Sequence, residues 1–233
     1  MNVSIVVPCY NEEKNIEPLV SRFTSFASKA DVELLLVDNG SSDSTQSKIK
    51  EQMKHFDFVK LVVVERNEGY GNGILQGLKA AKGNILGWIH ADLQSAPEVF
   101  IPMISASEHA NGDFLYKGAR KKRSISDVFF TIGMAIYESL LFHSFLWDIN
   151  SQPTLISRGF FNKMHNPPKD FALDLYAYVL AKKEKIMIKR FESIQYKRIS
   201  GVSTWNTNWY SRLNMVKRVI QYSKRTKKIL FGR

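Results

Sequence analysis

Through the first 120 residues, short apolar runs alternate with stretches of helical spacing. VSIVVP (3–8), VELLLVD (32–38), FVKLVVVE (58–65), NILGWIH (84–90) and DFLYKGAR (113–120) predict strands. Several of them are continuous runs rather than alternating ones, as expected of strands covered on both faces. Residues 14–29, 43–55, 72–82 and 97–110 predict helices between them. Asp43 three residues before Gln46 is a capping pattern, and Pro97 suits a first helical turn. Repeated strand–helix–strand units predict an α/β fold, a mostly parallel central sheet with helices on both faces.

After Arg120 the pattern changes. A basic KKR (121–123) leads into a very apolar helical stretch, 124–147, whose ionisable residues between Ser126 and Trp147 are Asp127, Glu138 and His143. A helix at about 170–184 follows the Pro167-Pro168 break, then two strand-like runs, KIMIKRF and SIQYKRIS. From Asn206 the chain predicts an amphipathic helix. Trp209, Leu213, Val216, Val219 and Ile220 share one face, with Lys217, Arg218, Gln221, Lys224, Arg225 and Lys228 opposite. The expected organisation is one domain over 1–205, in two halves (1–120 and 121–205), and a basic tail over 206–233.

Charge sharpens this picture. The net charge is +11, yet residues 1–192 hold 23 Lys and Arg against 22 Asp and Glu, while 193–233 hold 10 basic residues and no acid. So lopsided a tail points to an anionic partner, a membrane surface or a nucleic acid. No nucleic-acid-binding module is readable, which argues against the second. A single cysteine, Cys9, excludes an intrachain disulfide framework and a cysteine zinc cluster, and favours a reducing compartment. The expectation is a chain without a secretory leader or a conventional spanning helix.

Ligands of open α/β sheets bind at the carboxyl ends of the strands. There the first run ends in Pro8-Cys9-Tyr10-Asn11-Glu12, the second in Asp38-Asn39-Gly40, and the fourth in His90-Ala91-Asp92-Leu93-Gln94. Singly, Asp38 and Asn39 could be turn formers and Asp43 a helix cap; together they converge in a way a purely structural sheet does not require. The glycines 69, 71, 73 and 77 form no Walker A loop and follow the third strand, not the first, which argues against a dinucleotide site. They predict a backbone that approaches a ligand or a neighbouring strand closely. His90-x-Asp92 at a strand end would point both side chains one way. Asp92 with Gln94 suits a hard cation shared with phosphate, Mg²⁺ or Mn²⁺, and an imidazole shifts the preference towards manganese. His90 could equally be a hydrogen-bonded histidine of the sheet edge.

VVPCYNEEKNI, LLLVDNGSSDST, NEGYGNGILQGLKAAKGNILGWIHADLQSAPE and RISGVSTW, in this order, resemble the family 2 inverting nucleotide-sugar glycosyltransferases of GT-A fold, and among them the dolichyl-phosphate mannose synthase-like branch. The resemblance implies donor binding by Pro8, Tyr10, Asn11, Glu12, Asp38, Asn39, Gly69, Ala91, Ser203 and Trp205. It implies a divalent ion on Asp92, Gln94 and His90, and catalytic roles for Asp92, Arg120, Asp148 and Arg198. There are two departures: His90 stands where the family has the first acid of Asp-x-Asp, and Asn39 where it often has a second aspartate.

The expected function is therefore transfer of a sugar from a nucleoside-diphosphate sugar to a lipid-linked acceptor, a polyprenyl phosphate or lipid-linked saccharide. The expected location is cytoplasmic, peripheral on the inner face of the cell membrane. Oligomeric state is not readable. An acceptor hydroxyl would need a base, for which Asp148 and Asp174 are candidates, whereas a phosphate needs none. Asp148 could instead be a turn residue and Asp174 an exposed helix residue. The tail helix could lie on a membrane or pack on the domain, and 124–147 could be core, a dimer contact or a membrane contact. Two alternatives stand beside this reading: a non-catalytic nucleotide-sugar-binding protein, or a transferase acting on a sugar hydroxyl in polysaccharide synthesis.

Overall fold

The computed structural model describes residues 2–27, 31–121, 125–196 and 209–232, with side chains throughout except at 125–130 and 209–213. In order, the elements are β1 (Val3–Cys9), α1 (Ile16–Ala27), β2 (Val32–Asn39), α2 (Thr45–Met53), β3 (Val59–Val64), α3 (Tyr70–Ala80), β4 (Ile85–Trp88), α4 (Phe100–Glu108), β5 (Phe114–Lys121), α5 (Ile125–Phe142), β6 (Thr154–Ser157), α6 (Arg158–Asn162), α7 (Leu173–Lys183), β7 (Met187–Ile194) and α8 (Trp209–Phe231). A 3₁₀ turn, Pro97–Val99, opens α4, with the proline in its first turn.

The strands form one seven-stranded sheet in the order β3-β2-β1-β4-β6-β5-β7. β6 alone among the described strands runs antiparallel, against β4 and β5; the other pairings are parallel. The carboxyl ends of β1, β2, β4 and β5 therefore share one edge. Apolar side chains of the sheet pack into two cores. One lies under α1, α2 and α4, with Phe23, Phe100 and Ile5; the other lies under α3 and α7, with Trp88, Leu180 and Val37. The continuous character of the predicted strands follows from this, since both faces are covered.

Two expectations change. The runs at 185–191 and 193–200 form one strand, β7, as far as they are described, with residues 197–200 outside the described residues. β6 lies in TLIS, four residues flanked by a proline and a helix, too short to carry a periodicity of its own.

Behind the sheet, α8 packs against α5 and α7: Phe142 and Phe231 approach to 6.4 Å, and Lys183 Nζ donates to the Leu230 carbonyl. The buried stripe of α8 is Ser223, Thr226 and Leu230, with Val216, Val219 and Ile220 half-buried, while Lys217, Arg218, Gln221, Lys224, Arg225 and Lys228 are exposed. Of the expected apolar face, the side chains of Trp209 and Leu213 lie outside the described residues. Among those residues, no helix is long and apolar enough to cross a membrane.

Candidate functional site

The loops after β1 and β2 are laced together by hydrogen bonds. Asn11, at φ 55°, donates its N–H to Ser41 Oγ (3.1 Å) and accepts from the Ser42 N–H (2.9 Å). The Glu12 N–H donates to Thr45 Oγ1 (2.8 Å), and the Ser41 N–H to Asp38 Oδ1 (3.0 Å). Asp43 accepts from the Thr45 and Glu13 N–H groups. Burial alone would raise its pKa, but these hydrogen bonds and that of the Thr45 hydroxyl hold it below the ordinary value. Asp43 thus serves the start of α2, as its spacing predicts, although Ser44 occupies the cap position.

Asp38 pairs with Cys9 across β1 and β2, and the Ile89 N–H donates to the Val6 carbonyl. Asp38 and the 90–94 turn therefore rise from the same edge on either side of β1, about 10 Å apart at two strand spacings. The buried Cys9 thiol between them is pushed up by burial, then by Glu12, Asp38 and Asp43. Pro8 is half-buried and Tyr10 exposed at the same edge.

β4 ends at Trp88, so His90 and Asp92 do not lie on a strand, and strand alternation does not explain their relation. They lie in a turn in which Leu93 takes φ 57° and Asp92 Oδ1 accepts the Gln94 N–H (3.1 Å). Ala91 is buried below. The His90 ring stacks on Tyr70 at 4.5 Å and 15°, and Tyr70 stacks in turn on Phe171 at 4.9 Å and 10°. The turn is anchored to the end of β7 by Tyr196 N–H···O Gln94 (2.8 Å) and Gln195 Nε2–Ser95 Oγ (3.0 Å). Arg198, Ser203 and Trp205 follow Tyr196 but lie outside the described residues.

The glycine loop approaches backbone. A Cβ on Gly71 would lie 2.6 Å from the Asp170 carbonyl oxygen, and one on Gly69 (φ 117°) 2.7 Å from that of Lys169. The Asn72 N–H donates to the same Lys169 oxygen (2.7 Å). Asn39, buried, braces the loop by donating to Asn67 Oδ1 and the Gly69 carbonyl, and its own Oδ1 is buried without a partner.

Sequence reading missed the polar cluster beside the His90–Tyr70 stack. Asp174, 3% exposed on α7, meets Lys117 Nζ (3.0 Å; 1% exposed), Trp88 Nε1 (3.3 Å), and Gln152 and Thr154. Gln152 also donates to the Tyr70 hydroxyl (3.0 Å), whose pKa is raised well above its ordinary value by burial and by the charges of Asp174 and Asp92. Asp174 is therefore not on an exposed helix face; it is the counter-ion of a buried lysine. Asp148, at φ 47°, also carries an arginine: Oδ1 accepts from Arg120 Nε (2.7 Å) and Nη2, and Oδ2 from the Arg120 N–H (3.1 Å). Arg190 ties the 147–151 turn down through the Asp148 and Gly118 carbonyls and Ser151 Oγ.

Among the described residues no group of three or more His, Cys, Asp or Glu could hold a metal. The donors at the turn are one carboxylate (Asp92), one amide (Gln94) and an imidazole already stacked on Tyr70. Such a set fits a hard divalent ion that takes most of its oxygens from a diphosphate, as Mg²⁺ commonly does, and does not fit an all-protein cage.

Comparison with known proteins agrees with this architecture. Residues 4–167 match the family model described as Glycosyl transferase family 2. The dolichol-phosphate mannosyltransferase of Pyrococcus furiosus is 33% identical over 120 residues, 52% of this chain and 33% of that protein. The undecaprenyl-phosphate 4-deoxy-4-formamido-L-arabinose transferase of Proteus mirabilis is 33% identical over 109 residues, 46% of this chain and 33% of that protein. The matches thus span about a third of these relatives' own length. A glucosyl-3-phosphoglycerate synthase from Mycobacterium tuberculosis, solved with Mn²⁺, UDP and glucosyl-3-phosphoglycerate, superposes with a TM-score of 0.73 over 97% of this chain and 79% of that one. At 17% identity this likeness concerns the fold alone.

Proposed function

Because the chain belongs to glycosyl transferase family 2 and has a fold of GT-A type, we propose that it transfers a sugar, with inversion, from a nucleoside-diphosphate sugar to a lipid-linked acceptor phosphate. The observation that carries this reading is that the Pro8–Glu12 loop, Asp38–Asn39, the 90–94 turn and Arg120 stand at the same edge of one sheet. Pro8, Tyr10, Asn11, Glu12, Asp38, Asn39, Gly69 and Ala91 form the donor side of this proposal. Ser203 and Trp205 belong to the same proposal.

Transfer separates charge, positive at the anomeric carbon and negative on the departing diphosphate, and fixed cations aimed at the second lower the barrier most. Asp92 and Gln94, with His90 where its ring edge permits, would hold a Mg²⁺ or Mn²⁺ ion, which when bound neutralises the leaving diphosphate. Arg120 supplies a guanidinium held in place by Asp148, and Arg198 a second one; the forked geometry suits phosphate oxygens.

The two candidate bases favour a phosphate acceptor. Asp174 is committed to Lys117, and Asp148 to Arg120. An acceptor hydroxyl would need a base, whereas a phosphate oxygen arrives ionised. The names of the two relatives above, each acting on a polyprenyl phosphate, support the same acceptor class.

A peripheral position on the inner face of the membrane belongs to this proposal. It is supported by the exposed basic face of α8 and by exposed apolar side chains on and after α5: Ile136 (57%), Leu140 (70%) and Phe145 (73%). Among the described residues the buried stripe of α8 is used on α5 and α7, so this part of the helix would meet a membrane by charge rather than by insertion.

A thermal-shift screen with UDP, GDP and their sugars, each with and without Mg²⁺ or Mn²⁺, tests the donor reading. One diphosphate should raise the melting temperature with the metal and much less without it, and Asp92→Asn should abolish the metal-dependent part. No shift with any nucleotide would overturn the proposal.

A further inference from the structure

Glu138 is a buried carboxyl that the transfer chemistry does not use. It lies on the inward stripe of α5 with Ala135 and Phe142, 5% exposed, against α8. Its partner is the Ser223 hydroxyl, with Oε1 3.1 Å from Oγ. The same hydroxyl lies 2.9 Å from the Val219 carbonyl oxygen within α8. A serine hydroxyl carries one proton, and both neighbours are acceptors if Glu138 is ionised. With the carboxyl protonated, Glu138 donates to Ser223 and Ser223 donates to Val219, so every group is satisfied. With the carboxylate charged, one proton serves two acceptors and a buried charge is left with a single hydroxyl.

Among the described residues no cation relieves that charge. On α8, Lys224, Arg225 and Lys228 are exposed, Arg225 is paired with Asp170, and Lys227 is half-buried. On α7, the Lys183 ammonium donates to the Leu230 carbonyl, and Lys182 lies over Tyr178. Tyr137 and the exposed His143 are the neighbouring titratable groups on and just after α5. Among the described residues none of these forms an ion pair with Glu138. One turn along α8, Thr226 is fully buried with its hydroxyl unpartnered, so the docked face of the helix is under-satisfied already.

We propose that the α5–α8 contact is a proton-controlled latch, in which protonated Glu138 holds the C-terminal helix on the body and ionised Glu138 loosens it. The role is independent of the transfer reaction. Burial raises the Glu138 pKa to about 7, with the Ser223 hydrogen bond opposing, which puts the change in the physiological range. The folded protein then binds a proton that the unfolded chain has lost. The contribution is complete below the ordinary glutamate pKa near 4.5, declines as pH rises, and is gone above about 7.

Hydrogen exchange of the full chain, corrected for intrinsic rates and followed by mass spectrometry at pH 5.5 and pH 8, reads the latch directly. Amides of α8 should lose at least tenfold more protection between the two pH values than amides of β1. In Glu138→Gln, whose amide donates to Ser223 at every pH, α8 should stay protected at pH 8. Ser223→Ala should weaken α8 protection at pH 5.5. The proposal is overturned if α8 protection in the unmodified protein is the same at both pH values, or if Glu138→Gln keeps the full loss. Should Glu138→Gln fail to fold, the comparison of pH values in the unmodified protein and the Ser223→Ala result decide alone.

Discussion

Two buried aspartates, Asp148 and Asp174, show how little a residue's type says until its partners are known. Asp148 takes a left-handed backbone and turns both carboxylate oxygens to Arg120. We assign it the positioning of that guanidinium, and a double-mutant cycle checks this. With a polyprenyl phosphate as acceptor, Asp148→Ala and Arg120→Ala should each lower kcat about 10²-fold, and the double variant little more than either alone. Multiplying effects, with loss of the acidic limb of the pH profile in Asp148→Ala only, would make Asp148 a base instead. Sequence showed which polar loops stand at one edge of the sheet, because motifs at strand ends are local. It did not show what Asp148 and Asp174 do, because Arg120 lies 28 residues before the first and Lys117 57 before the second. One signal was available: Lys117 interrupts an apolar strand run, and a charge at a covered strand position needs a buried counter-ion.

At the scale of elements, the Lys117–Asp174 pair joins β5 to α7 across the second core. Removing one partner strands a buried charge, which costs about 3–5 kcal/mol, whereas replacing both with apolar residues of similar size is often neutral. Chemical denaturation should find Lys117→Met strongly destabilised and Lys117→Met/Asp174→Leu largely recovered; equal losses in both would show that the pair is not what holds β5 to α7. Long elements were legible to within a few residues, since a helix of several turns repeats its apolar spacing or carries clear end signals: α1, α3 and α7 fall where the sequence puts them. β6 was not, because four residues between Pro153 and a helix carry too little pattern. Nor was the depth of the α8 contact, because its buried stripe includes Ser223 and Thr226, which a hydropathy reading counts as polar.

For the whole molecule, the separation of charge matters most. Among the described residues the basic face of α8 is exposed, with Arg225 paired to Asp170 of the body, while Ser223, Thr226 and Leu230 on the other face are buried, so attraction to an anionic surface needs no refolding. Each basic side chain near such a surface contributes about 1 kcal/mol. Flotation with vesicles containing anionic lipid should recover the protein, zwitterionic vesicles should not, and Lys217→Glu with Lys228→Glu should weaken recovery tenfold or more. Recovery indifferent to lipid charge would remove α8 from the membrane proposal. The sheet order carries a different consequence. β5 pairs with β6 and β7 and with none of the four strands before it, and β6 is its bridge to β4. During synthesis, then, the strand that bears Arg120 has no neighbour to zip onto until residue 157 has emerged. A fragment cut at 121 would leave β4 a bare edge and β5 unpaired, so Arg120 takes its place at the shared edge only once β6 bridges the two strands.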